Sequence, residues 1–517
     1  MSNENHPDGY RRHEREPIGY RAPAERRQDH QDHQEIYSSS WDETQLREQG
    51  TRCMDCGVPT CTAGCPIGNI IPDWNDLVSR GDWRTALARL HATNNFPEFT
   101  GYACPAPCED ACTLNYNLNP VTIKDLERAI VDRGWEAGWI VPQPPPERSG
   151  LQVAVVGSGP AGLACAQQLN RAGHRVTVYE RDDAPGGLVC YGIPDFKFSK
   201  DKLERRIGQL TAEGIVFRCS TGLGRDISLD ELRARYDAVA LTIGALHPRN
   251  VDTPGRDLNG IHYAMPYLVR ENRRQAGRDY AEGPDARGRN VIVLGGGDTG
   301  ADCVATALRQ GATSVTQINI NEQPPRERAD DNPWPLVARI YKHSYALAEG
   351  AHGEFSLDTL AFEDRDGDGH VDCLHTERVH WIRDAQGRRI DKHIRESDLR
   401  LPAELVLIAI GFSRPQSDAL NAPELALDKL GTFATDAGMM TSVPGVFAGG
   451  DCNMGHSLLV WAIGEGRDLA RAIDQHLTGN SRLPASLRTR HRPLPPGGWD
   501  LTRTNTTTEP GGDHDAS

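Results

Sequence analysis

The chain has 517 residues, 38% apolar and 25% charged, with a formal net charge of −15. That length allows about three domains at ~150 residues each, and the acid excess leaves no basic field to release counterions from nucleic acid. No run of about 18 apolar residues is present, so no membrane span is expected, and the opening MSNENHPDGYRRHEREP lacks a secretory apolar stretch, so the chain reads as cytoplasmic.

Residues 1–36 are rich in Arg, Glu, Asp and His without an apolar period, which predicts a disordered arm. Residues 37–145 read as a helical domain, with helical patterns such as Asp82–Leu90 and Ile123–Ala137. Seven of the thirteen cysteines fall here: Cys53, Cys56, Cys61, Cys65, Cys104, Cys108 and Cys112. In a reducing compartment such crowding reads as metal or iron–sulfur ligation rather than disulfides. The run Cys53-x2-Cys56-x4-Cys61-x3-Cys65-Pro66 resembles the bacterial ferredoxin spacing with a longer middle gap. Zinc is the alternative for a CxxC pair. Seven cysteines with only His91 between them divide badly into closed zinc sites, so iron–sulfur is favoured. Two four-iron clusters then need one ligand that is not a cysteine.

Pro142-Gln143-Pro144-Pro145-Pro146 is a stiff linker. Beyond it the pattern turns to α/β. VAVVGSGPAGL places Gly157, Ser158, Gly159, Pro160, Ala161 and Gly162 between an apolar strand and a helix. The first glycine makes the tight turn, the second admits a pyrophosphate and the third permits close helix packing. The next strand, RVTVYE, ends in Glu180, where a ribose hydroxyl needs an acceptor, and Gly187 and Leu188 complete this stretch of flavin candidates. A disulfide reductase is not expected, because neither nucleotide unit contains a CxxC; Cys165, Cys190, Cys219, Cys303, Cys373 and Cys452 are expected as small buried apolar residues.

NVIVLGGGDTGADCVATAL repeats the fingerprint with Gly295, Gly296, Gly297, Asp298, Thr299 and Gly300. Its second strand, SVTQINI, sets Asn319 opposite Glu180, so the carboxylate that would repel a 2′-phosphate is missing. Arg326 and Arg328 follow and are candidates to pair with that phosphate, favouring NADPH. Asp364 to Gly369 mimics an EF-hand loop, but position twelve is His375, so a hairpin turn is expected. GVFAGGDCNMGHSLLVWAIGEGRDLARAI then reads as the returning segment of the first unit, with Gly450 and Asp451 at the flavin. The expected fold is therefore two Rossmann-like dinucleotide domains, the second (251–410) inserted in the first (150–250 and 411–480). A helical iron–sulfur domain precedes them and a flexible tail, 481–517, follows.

The segments CMDCGVPTCTAGCPIGNIIPDWNDLV, LHATNNFPEFTGYACPAPCEDAC, VTIKDLERAI, YGIPDFKF and LLVWAIGEGR resemble the small (β) subunits of bacterial glutamate synthase. They are also similar to the N-terminal half of dihydropyrimidine dehydrogenase and to ferredoxin–NADP transhydrogenase subunits. The resemblance spans about residues 37–480. It implies FAD, NADPH and two [4Fe-4S] clusters, one on Cys53, Cys56, Cys61 and Cys112, the other on Cys65, Cys104 and Cys108. Glu127 stands where dihydropyrimidine dehydrogenase has a glutamine ligand; its alternative reading is a solvated helix carboxylate beside Arg128. The implied role is electron input from NADPH to a large subunit with glutaminase and FMN domains, since neither is visible here. The alternatives are electron input to another reductase, such as a ferredoxin–NADP transhydrogenase, or a zinc-stabilised flavin-binding scaffold. The arm, the tail and Tyr341 to Phe355 depart from the family pattern.

Overall fold

The computed structural model describes residues 8–485 apart from 18, 29, 31, 32, 39–41, 279, 281 and 385–388. The helical domain comes first. Glu43–Thr51, Ile71–Ser79, Trp83–Thr93, Pro97–Ala103 and Ile123–Glu136 close around Trp74, Leu90, Phe96, Phe99 and Leu126, all fully buried. Asp82 starts the third of these helices by accepting from the Thr85 amide, as an N-cap aspartate does.

The strands follow in chain order: β1 (Gln152–Val156), β2 (Arg175–Tyr179), β3 (Val216–Arg218), β4 (Ala238–Leu241), β5 (Ile261–Tyr263), β6 (Asn290–Leu294), β7 (Ser314–Asn319), β8 (His352–Phe355), β9 (Leu357–Glu363), β10 (Cys373–Arg383), β11 (Arg389–Pro402), β12 (Leu405–Ile408) and β13 (Val446–Ala448). Two parallel five-stranded sheets form, ordered β13-β4-β1-β2-β3 and β5-β12-β6-β7-β8. Their central strands are apolar throughout because helices cover both faces. The chain leaves the first sheet after β4, builds the second, and returns as β13 beside β4. The mixed α/β fold expected from the strand–glycine–helix pattern is the fold observed.

β9, β10 and β11 make a separate antiparallel sheet. The Asp364–Gly369 segment is the turn from β9 to β10, and the Asp364 carboxylate accepts from the amides of Gly367, Asp368 and Gly369. Of the six scattered cysteines, five are buried and Cys219 is half-buried. No described helix is long and apolar enough to cross a membrane.

The arm corrects the sequence reading. Residues 8–38, where described, are packed, not disordered. Arg15 pairs with Glu109 at 2.7 Å, Arg52 donates to the His13 carbonyl, and Ile36 and Tyr37 are buried. Arg26, 2% exposed, pairs with the buried Glu349, which also takes Arg309 at 2.6 Å. A charged segment without apolar period looks solvated in sequence. Here its charges are answered by partners 94 and 323 residues away, and Tyr341 to Phe355, illegible as pattern, supplies the second. Residues 1–7 of the arm and 486–517 of the tail lie outside the described residues; Leu483 is buried and its carbonyl accepts from Arg471.

Candidate functional site: a cysteine-rich domain facing two dinucleotide folds

The seven clustered cysteines sit in or beside short helices and tight turns. Cys65 and Cys104 follow the helices Thr60–Gly64 and Pro97–Ala103, and Cys112 precedes the 3-10 turn Thr113–Tyr116. Electrostatics divide them into two sets. The thiol pKa values of Cys53, Cys61 and Cys112 are raised in part by neighbours within one set that includes Cys56, while Cys65, Cys104 and Cys108 interact with one another and with Glu127. Burial is the larger cause throughout: it pushes Cys53 and Cys65 to about 11 and Cys61 and Cys104 to about 12. Such thiols ligate only as thiolates, releasing their protons to solvent while a bound cation repays the desolvation.

Cys65, Cys104, Cys108 and Glu127 line one cavity with Pro66, Thr100 and Val460. Glu127 is buried, not solvated, so its bland reading fails. Burial pushes its carboxyl to about 7, and Thr100, Asn94 and Asn69 all donate to Oε1, leaving Oε2 without a donor among the described residues. Arg128 turns away onto the Tyr37 ring at 4.5 Å. In the other set, the amide of Asn75 stands beside the Cys53 thiol, fully buried, and neither of its polar atoms has a well-formed partner.

Sulfurs around one tetrahedral zinc lie about 3.8 Å apart, given a Zn–S bond near 2.3 Å. Among the described residues, the only three donors within 4.8 Å of one another are Asp364, Asp366 and Asp372, in the β9–β10 turn. The cysteine sets are wider than that. That width argues against closed zinc sites, and a buried amide beside sulfur fits a sulfur-rich group.

In the first dinucleotide fold, Gly157 has φ +98°, and a Cβ there would lie 2.5 Å from the Thr242 carbonyl oxygen. A side chain at Gly159 meets nothing within 4 Å, so the N-terminus of helix Pro160–Arg171 is open to an anion. Gly162 packs against the Gly157 carbonyl. Glu180 is held from below: Ser158 donates its amide and hydroxyl to Oε2 at 3.1 and 2.5 Å, and Asp182 donates its amide to Oε1. Ser158 therefore orients Glu180, and its hydroxyl also takes the Gly186 amide. A Cβ at Gly187 would lie 2.9 Å from the Gly159 Cα, and Leu188 begins the next short helix. Gly450 presses on Ala161, beside Asp451, which burial pushes to about 6 although Ser457 donates to it at 2.6 Å.

The second fold repeats the register. Val156 pairs with Tyr179 and Leu294 with Ile318, so Glu180 and Asn319 are the next residue in each. Gly295 has φ +130° against the Ala409 carbonyl, Gly297 is open, and Gly300 packs on the Gly295 carbonyl. Gly296 lies under the Asn319 side chain, and Asp298 and Thr299 open the helix Asp298–Gln310. Arg326 is exposed. Arg328 is a correction: it donates to the carbonyls of Leu336 and Asp110 at 2.8 and 3.0 Å. Burial depresses its pKa, and it ties its loop to the cysteine-rich domain. Trp334 does the same, donating to the Cys112 carbonyl at 3.0 Å. Sequence reasoning missed both contacts, because partners 218 and 222 residues apart leave no periodic signal.

This fold and site define a pyridine-nucleotide oxidoreductase carrying an iron–sulfur domain. Residues 29–139 match the family described as dihydropyrimidine dehydrogenase domain II, 4Fe-4S cluster. Residues 151–332 and 362–466 match the pyridine nucleotide-disulphide oxidoreductase family. The glutamate synthase [NADPH] small chain of Mycobacterium tuberculosis H37Rv is 47% identical over 500 residues, 94% of this chain and 99% of that one. The Bacillus subtilis small chain is 45% identical over 92% of this chain and 99% of its own. Among solved structures, Mycobacterium tuberculosis FprA in complex with NADPH aligns with a TM-score of 0.50 at 19% identity, covering 65% of this chain and 85% of that chain; it shares the fold. The chain belongs to the family of glutamate synthase small chains.

Proposed function

We propose that the chain is the electron-input subunit of a glutamate synthase, passing reducing equivalents from NADPH to a large subunit with glutaminase and FMN domains. When bound, FAD accepts hydride from NADPH and two [4Fe-4S] clusters carry single electrons onward. Gly157 to Gly162, Glu180, Gly187, Leu188, Gly450 and Asp451 would hold the flavin dinucleotide. Gly295 to Gly300 would take the nicotinamide dinucleotide, with Asn319 sparing a 2′-phosphate the repulsion of an acid. Cys53, Cys56, Cys61 and Cys112 form one ligand set, and Cys65, Cys104, Cys108 and Glu127 the other.

The observation that carries this reading is where Val460 lies. It lines the Glu127 cavity from the first turn of helix Leu459–Thr478, eight residues after the Gly450–Asp451 pair. The second ligand set therefore abuts the flavin segment. Gly466 of the same helix packs on the Ala161 carbonyl, fixing the helix against the flavin fingerprint. Cofactor content tests the proposal. Anaerobically purified chain should carry one FAD and about eight irons, the content of two four-iron clusters. Stoichiometric zinc with little iron would overturn it in favour of the scaffold reading.

A further inference from the structure

The β10–β11 hairpin reaches over the end of β7. We propose that Arg389, with Arg383 beside it, receives the 2′-phosphate of NADPH and sets the preference for it over NADH. This rests on the reading that the nicotinamide nucleotide lies over Gly295 to Gly300.

The register places Asn319 where the first fold has Glu180, so the ribose end of this site is marked by the residues just after β7. Those residues are gripped by the hairpin: Trp381 donates its indole N–H to the Ile320 carbonyl at 2.9 Å. Two residues past Asn319, the Asn321 Oδ1 accepts from Arg383 at 3.0 Å and from Arg389 at 3.1 Å. Arg389 also stacks over the Trp381 ring at 5.0 Å. Arg389, whose other side-chain contact is the Trp381 ring, thus shares one neutral oxygen with Arg383 and meets no acid among the described residues. Desolvation first, then the charge of Arg383, depresses the Arg389 pKa. The acid nearest in effect, Asp358, is taken by Lys392 at 2.6 Å. A phosphate dianion offers what the amide oxygen does not: charge and enough oxygens for two planar forks. Arg328 is spent on the carbonyls of Leu336 and Asp110, and Arg326 has no such convergence.

The test uses the holoenzyme with an artificial acceptor, comparing kcat/KM for NADPH and NADH in the unaltered chain, Arg389→Ala, Arg383→Ala and Arg326→Ala. The unaltered chain should prefer NADPH. Arg389→Ala should lose about tenfold on NADPH through KM, the worth of a charge-assisted hydrogen bond. It should keep its NADH rate, which also reports that it is folded, and Arg383→Ala should behave likewise. Inhibition by 2′,5′-ADP should weaken in parallel. Arg326→Ala should leave the ratio alone. An unchanged ratio in Arg389→Ala, a lost ratio in Arg326→Ala, or no preference in the unaltered chain overturns the assignment. Failure of either nucleotide to reduce the flavin in the unaltered chain overturns the functional reading beneath it as well.

Discussion

Lys197, in the first dinucleotide domain, donates at 2.7 Å to Asp302 on the first helix of the second, and the Tyr345 hydroxyl donates to the same oxygen at 2.7 Å. All three side chains are buried. Desolvation opposes the Lys197 charge, but Asp302 wins and raises its pKa. The contact joins the two domains that hydride transfer brings face to face.

Removing one partner of such a pair leaves a buried charge unanswered, at a cost of about 3–5 kcal/mol. Lys197→Ala should lower the thermal midpoint by several degrees. Lys197→Met with Asp302→Asn should recover much of the loss, because neither remaining group is then charged. Thermal melts of the three variants check this.

The arm contributes to stability through Arg26. Arg26→Ala leaves Glu349 with Arg309 and, at 3.6 Å, the His30 ring, so the loss should be about 1–3 kcal/mol, that of a charge-assisted hydrogen bond. Arg27, its exposed neighbour, should tolerate alanine within ~0.5 kcal/mol. Urea unfolding of both variants reads the difference; equal effects would return the arm to a passive role.

Glu127→Ala removes the non-cysteine donor of one set and leaves the other set intact. Iron per chain should fall while FAD stays stoichiometric, and the remaining signal should be the one that Cys53→Ala abolishes. Electron paramagnetic resonance of the reduced variants, with iron and flavin analysis, decides this. Full iron with an unchanged spectrum would leave Glu127 as a buried structural acid.

Much of this was legible because certain positions tolerate few residues. Gly157 and Gly295 need positive φ against a carbonyl, and the strand–glycine–helix pattern announces that. Helix Trp83–Thr93 follows its Asp82 cap, and Ile123–Glu136 its apolar period. The register of Asn319 with Glu180 was readable because RVTVYE and SVTQINI share a Val-Thr step, and both residues stand at the same distance beyond it. What escaped were contacts between distant segments: Arg328 to Asp110, Arg26 to Glu349, and Arg389 to Asn321. A charged residue in sequence looks solvated until the fold supplies its partner, and only the fold turned Glu127 inward.

If electrons leave through the cysteine-rich domain, loss of one cysteine ligand uncouples flavin reduction from synthesis. The most direct measurement is glutamate formation from glutamine and 2-oxoglutarate, with NADPH, by Cys53→Ala chain reconstituted with the large subunit, with flavin bleaching followed in the same sample. NADPH should still bleach the flavin at near the unaltered rate while glutamate formation is lost. Glutamate formation at the unaltered rate, with the flavin domains folded, would contradict it.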